Sequence, residues 1–79
     1  MSENPGEEKK FDELKKLANI ATDMDLASKM RIQAIDMLGE IATHESLLVL
    51  LNLAANDKLH IDERDHAIKR AREIIKKGR

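Results

Sequence analysis

Cysteine, tryptophan and tyrosine are absent from this chain, and Phe11 is its single aromatic residue. Without thiols there is no disulfide framework, no thiolate zinc site and no cysteine nucleophile, a composition that fits a reducing compartment. Without rings there is little for bases, sugars or flat cofactors to stack on. The three glycines are isolated from one another, so no glycine-rich phosphate loop can form. No apolar run approaches the ~20 residues of a membrane span, and no cleavable signal pattern opens the chain, so a cytoplasmic location is expected. An excess of either charge is also missing. The net charge is −1, and the molecule as a whole has no long-range pull on polyanions.

What is present is a helical pattern. Seventy-nine residues, 42% apolar and 37% charged, suit one small globular domain with a thin stability margin. Residues 1–10 are polar and read as a flexible tail, although Asn4-Pro5-Gly6-Glu7 resembles an early capping box. Residues 11–79 then read as a single all-α domain. Phe11, Leu14, Leu17, Ala18 and Ala21 recur at helical spacing, and Asp23 or Asp25 is placed to cap the helix that follows. A second helix over roughly 26–42 carries Met30, Ala34, Leu38 and Ile41 as its core stripe, with Leu26, Ile35 and Ala42 beside it. Thr43 offers an N-cap to a third helix, SLLVLLNLAAN, so apolar around its circumference that enclosure by neighbours is expected. A fourth, about 61–77, carries Ile61, Ile68, Ala71 and Ile75, with Ala67 and Ile74 alongside, and Gly78 stands at its C-terminal boundary.

The chain also matches itself. A shift of 33 residues brings Leu14 over Leu47, Leu17 over Leu50, Asn19 over Asn52, Ala21 over Ala54 and Leu26 over Leu59. The register continues without a gap through Arg31 and Arg64, Ala34 and Ala67, Ile35 and Ile68, Glu40 and Glu73, and Ile41 and Ile74. One helix pair per period is the mark of an α-solenoid. The expected fold is four helices in two stacked antiparallel helical hairpins, repeat one over about 11–43 and repeat two over about 44–77.

Residues 30–54, MRIQAIDMLGEIATHESLLVLLNLA, resemble the junction between HEAT-like repeats of the phycobilisome-lyase (PBS-lyase) type. Asp25, Arg31, Ala34, Leu38, Gly39 and the Leu47–Leu51 run match the turn acid, early arginine, alanine, Leu-Gly pair and leucine-rich helix of that pattern. The second unit departs from it, with Lys58 in place of Asp25 and Arg72 in place of Gly39. The resemblance implies that Arg31 and Arg64 hold turns together by hydrogen bonds. It also implies that the second helices of successive repeats line one surface, and that the chain is a non-catalytic protein-interaction module.

Three candidate chemistries can be weighed against that expectation. In HIDERDH, residues 60–66, Asp62 and Glu63 each share a helix face with His66. Di-iron bundles need a Glu-x-x-His pair twice, and Gln33 occupies the place of a second histidine. A helix start, with acids favoured by the helix dipole, is the preferred reading, and no metal or cofactor is assigned. His44 follows Glu40 by four residues across a helix break and reads as a turn residue. No serine, histidine and acid cluster around a nucleophile, so no catalytic residue is assigned and the chain is not expected to be an enzyme.

The expected partner-binding surface is Lys29, Gln33, Asp36, Met37 and Glu40 on the second helix with Asp62, His66, Lys69, Arg70 and Glu73 on the fourth. The partner is another protein. A homodimer is left open, since self-association would bury an uncovered end flank. The alternative is nucleic acid or another polyanion held by Lys69, Arg70, Arg72, Lys76, Lys77 and Arg79. The same cations also suit the negative end of a helix dipole.

Overall fold

Each of the four periodic segments forms a helix. The computed structural model describes residues 5–78, with side chains from Asp12 onward. Helix α1 spans Pro5–Ala21, α2 Ser28–Ile41, α3 His44–Ala54 and α4 Ile61–Lys77, and there is no strand among the described residues. Pro5 stands at the first helical position, where its missing N–H costs nothing and its fixed φ suits the helix. Helix α1 thus enters the segment read as a polar tail. Residues 1–4, with the capping box expected at Asn4–Glu7, and the side chain of Phe11 lie outside the described residues.

Helix α1 packs on α2 and α3 on α4, while α2 meets both α3 and α4 and α1 meets α3. The Cα extents of 42 × 33 × 17 Å make a slab about two helices deep. Its core is aliphatic: Leu14, Leu17 and Ala21 from α1, Ala34, Ile35 and Leu38 from α2, Leu50 and Leu53 from α3, Ala67, Ala71 and Ile74 from α4, and Leu59 from the last turn.

The six residues joining α1 to α2 and the six joining α3 to α4 take one shape. In the first, the Asp23 amide donates to Ile20 O, and Leu26 N–H to Asp23 O. The Asp23 carboxylate accepts from Asp25 N–H at 2.9 Å. In the second, Asn56 N–H donates to Leu53 O and Leu59 N–H to Asn56 O. The Asn56 side chain accepts from Lys58 N–H at 3.0 Å. Each bond recurs 33 positions later. Asp23 therefore closes its own turn and does not cap α2. Ala27, extended and without a side-chain cap, occupies the N-cap position.

The break between α2 and α3 is only Ala42 and Thr43. Ala42 adopts a left-handed conformation (φ 55°), costly for a residue with a Cβ, and its amide returns to Leu38 O. Thr43 caps α3 as expected: its hydroxyl accepts from Ser46 N–H while Ser46 Oγ accepts from Thr43 N–H. Gly78, in contrast, closes α4 at φ −75°, without the left-handed turn that makes glycine useful at a helix end.

Two expected core stripes and one expected enclosure differ in the structure. On α2 the buried set is Arg31, Ala34, Ile35 and Leu38, and Met30 is 46% exposed. On α4 it is Glu63, Ala67, Ala71 and Ile74, whereas Ile61 is 70% and Ile75 50% exposed. Two apolar stripes run along α4, and its neighbours take the one rich in alanine. Helix α3 is not enclosed either: Leu48 and Leu51 remain exposed, because its neighbours cover only part of its circumference.

Candidate functional site

The polar chemistry of the molecule is concentrated where α4 crosses α2. At the N-terminal end of both helices lies a dry ion pair. Arg31 is 3% exposed and Glu63 fully buried. Glu63 Oε2 accepts from Arg31 Nη2 at 2.7 Å and Nε at 3.0 Å, and from the Ser28 hydroxyl. Its Oε1 accepts from the His60 amide at 3.1 Å, so Glu63 also closes the start of its own helix. Arg31 Nη1 spans the first turn, donating to Leu26 O at 2.5 Å and Asp23 O at 3.1 Å. Burial, the largest single influence, pushes the Glu63 carboxyl up. The bonds from Arg31, Ser28 and the His60 amide, with the charge of Arg31, outweigh it and hold the group down at about 2.

Farther along the crossing is a second, half-exposed network. His66 Nε2 lies 2.5 Å from Asp36 Oδ1. Arg70 Nη2 donates to the main-chain oxygen of Asp36 at 3.0 Å and Nη1 to Glu73 Oε1 at 3.0 Å. Arg70 Nε is buried without a hydrogen bond, 3.7 Å from Asp36 Oδ1. The side chain lies this low because residue 39 is glycine: a Cβ there would meet the guanidinium, 2.7 Å from Cζ.

Of the ten residues expected to form a partner surface, Asp36, His66, Arg70 and Glu73 are thus joined in one network between α2 and α4. Lys29, Gln33, Glu40, Asp62 and Lys69 are exposed. Met37, 52% exposed, turns elsewhere, into a shallow groove between α1 and α2 lined by Glu13, Lys16, Leu17, Glu40 and Ile41. Among the cations weighed for phosphate, Lys69, Arg72, Lys76 and Lys77 are exposed, Arg70 is engaged by Asp36 and Glu73, and Arg79 lies outside the described residues.

Within HIDERDH the side chains part company: Glu63 faces Arg31, and His66 faces Asp36. Among the described residues no group of three or more histidines and acids is arranged to hold a metal ion. No helix among them is long and apolar enough to cross a membrane. Comparison with protein-family models, curated proteins and solved structures finds no match to this chain. The functional reading therefore rests on geometry.

The residue that sequence reasoning missed is Glu63. The sequence reading takes it, with Asp62, as an acid at a helix start favoured by the helix dipole. Its one distinguishing signal is position: it stands three residues after the N-cap, where a glutamate folds back on its own helix start.

Proposed function

We propose that this chain is a non-catalytic protein-interaction module, built as a HEAT-like α-solenoid unit of two stacked antiparallel helical hairpins. The observation that carries the architectural part is the pair of six-residue turns with the same bonds 33 positions apart. An arginine serves each turn region. Arg31 bonds carbonyls of the first turn, and Arg64 Nε donates to Ala54 O, the last residue before the second, at 3.2 Å.

The interaction part rests on the α2–α4 face. Asp36, His66, Arg70 and Glu73 are tied across it, so its charge pattern is preorganised, and a partner need not order those side chains on binding. Lys29, Gln33, Asp62 and Lys69 surround the network as solvated contacts, and Met37 with Glu40 extends the surface toward the α1–α2 groove. Exposed, flexible methionine makes an adaptable apolar anchor.

The test is capture from source-cell lysate by the tagged domain, with and without nuclease, beside Met37→Asp and Lys69→Glu. A protein retained after nuclease and lost with either variant supports the reading. Recovery that vanishes with nuclease would overturn it in favour of polyanion binding through Lys69, Arg72, Lys76 and Lys77. That alternative also requires affinity to fall steeply with salt, as counterions are released.

A further inference from the structure

The isoleucines that the core leaves outside form a surface of their own. Ile61, Ile68 and Ile75 are spaced by seven residues, and successive heptad positions on a helix drift by only ~20°, so the three stand in one line along α4. Ile61 is 70% exposed, Ile75 50%, and Ile68 half-buried. Isolated apolar side chains on a surface need no explanation, but three large β-branched ones in register along a helix do. The matching positions, 33 residues earlier, are Ser28, Ile35 and Ala42. There Ser28 bonds to Glu63 of α4, Ile35 is fully buried, and Ala42 is the exposed C-cap residue. At the centre of the stripe Ile35 is covered completely on α2, whereas Ile68 is covered only in part on α4.

The charges beside the stripe specify what covers it. Asp65 and Arg72 lie on its solvent side, seven residues apart and both exposed. In a parallel two-fold pair same-numbered flanking residues stand on opposite sides of the seam, so Asp65 and Arg72 would not meet. An antiparallel copy centred on Ile68 sets Ile61 against Ile75, Ile68 against Ile68, and Asp65 beside Arg72, twice by symmetry. In that orientation the two charges offset each other across the seam. On the other side of the stripe Arg64 is tied to Ala54 O of α3.

We propose that α4 pairs antiparallel with α4 of a second copy of this chain, through Ile61, Ile68 and Ile75 and the flanking Asp65 and Arg72. The dimer forms on a face separate from the α2–α4 network, so it stands whether or not that network binds a partner.

Sedimentation equilibrium of the intact chain from micromolar to several hundred micromolar tests it. The expected result is a monomer–dimer equilibrium that Ile68→Glu weakens on the order of a hundredfold. Asp65→Arg weakens it about tenfold, and adding Arg72→Asp restores it to within about threefold of the parent. Asp65 and Arg72 are exposed, so those variants keep the test sharp even if Ile68→Glu disturbs the fold. Because the chain has no cysteine, introduced thiols report orientation cleanly. Ile68→Cys should cross-link to itself on mild oxidation. Ile61→Cys alone should not, since in the antiparallel pair its copies stand ~20 Å apart. A parent that stays monomeric at every concentration overturns the proposal. So does a dimer indifferent to Ile68→Glu and to the charge exchange, or one that cross-links through Ile61→Cys.

Discussion

Arg31 and Arg64 occupy corresponding places after turns of the same shape, yet they live in different surroundings. Arg31 is buried, grips two turn carbonyls and holds a carboxylate from the neighbouring helix pair. Arg64 is half-exposed and makes a single bond to a helix-end carbonyl. The turns do not need the arginine's charge, because each is closed by its own backbone bonds and an Asp or Asn side chain. Charge matters only where the next helix dries the site. The position is the same; the cover makes the difference.

The comparison can be broken most forcefully from its buried side. Glu63→Ala leaves Arg31 in a dry site without its carboxylate and is expected to cost about 3–5 kcal/mol. Set against a total stability on the order of 5 kcal/mol, that would bring the domain near its unfolding midpoint at room temperature, read by chemical denaturation. Arg31→Met with Glu63→Leu should recover most of the loss, because replacing both charges leaves neither unpaired.

Acid probes the same pair without mutation. The folded Glu63 titrates near 2 and the unfolded one near 4.5, so the unfolded chain binds more protons between those values. Its contribution is full above about pH 4.5 and is lost as pH falls toward 2, on the order of 3 kcal/mol in all. Denaturation curves should show the parent losing this increment in that window and Glu63→Gln losing much less.

A smaller effect is expected at Gly39, where α4 covers α2. Gly39→Ala gains helix propensity but drives Arg70 off the Asp36 carbonyl, for a net loss of about 1 kcal/mol. The corresponding residue of α4 is the exposed Arg72, and Arg72→Ala should change the melting temperature of the monomer little. Arg64→Ala removes one part-exposed hydrogen bond worth about 0.5–1.5 kcal/mol, well below the loss at the buried pair. An equal loss at Arg31 and Arg64 would dissolve the distinction between covered and uncovered sites.

Helix number and most boundaries were legible in the sequence, because they depend on local signals. Thr43 announces the start of α3 by a side chain that bonds three residues ahead, and α4 begins and ends where its charge pattern says. The facing of the helices was less legible. Met30 and Arg31 are adjacent, and hydropathy favours the methionine, yet the arginine is buried because its carboxylate waits on another helix. On α4 the larger isoleucines outweigh the alanines in any apolar count. Ala67 and Ala71 nevertheless take the core side, where they are fully buried and Ile61 and Ile75 are not. Arg31 bonds two carbonyls of its turn while Arg64 reaches only the carbonyl that ends α3, and Asp36, His66, Arg70 and Glu73 were expected as separate surface residues, not as a network.

The bond between Arg31 and Glu63 joins positions 32 residues apart and has a consequence for how the molecule comes apart. Each helix pair carries one half of a charge couple that is tolerable in a dry interior only when complete. Opening α4 strands the arginine, and opening α2 strands the glutamate. Partial openings are thereby penalised relative to complete ones, so the slowest amide protons of α2 and α4 should exchange together, in a single all-or-none event. A lock shared between halves makes the two helix pairs one cooperative unit.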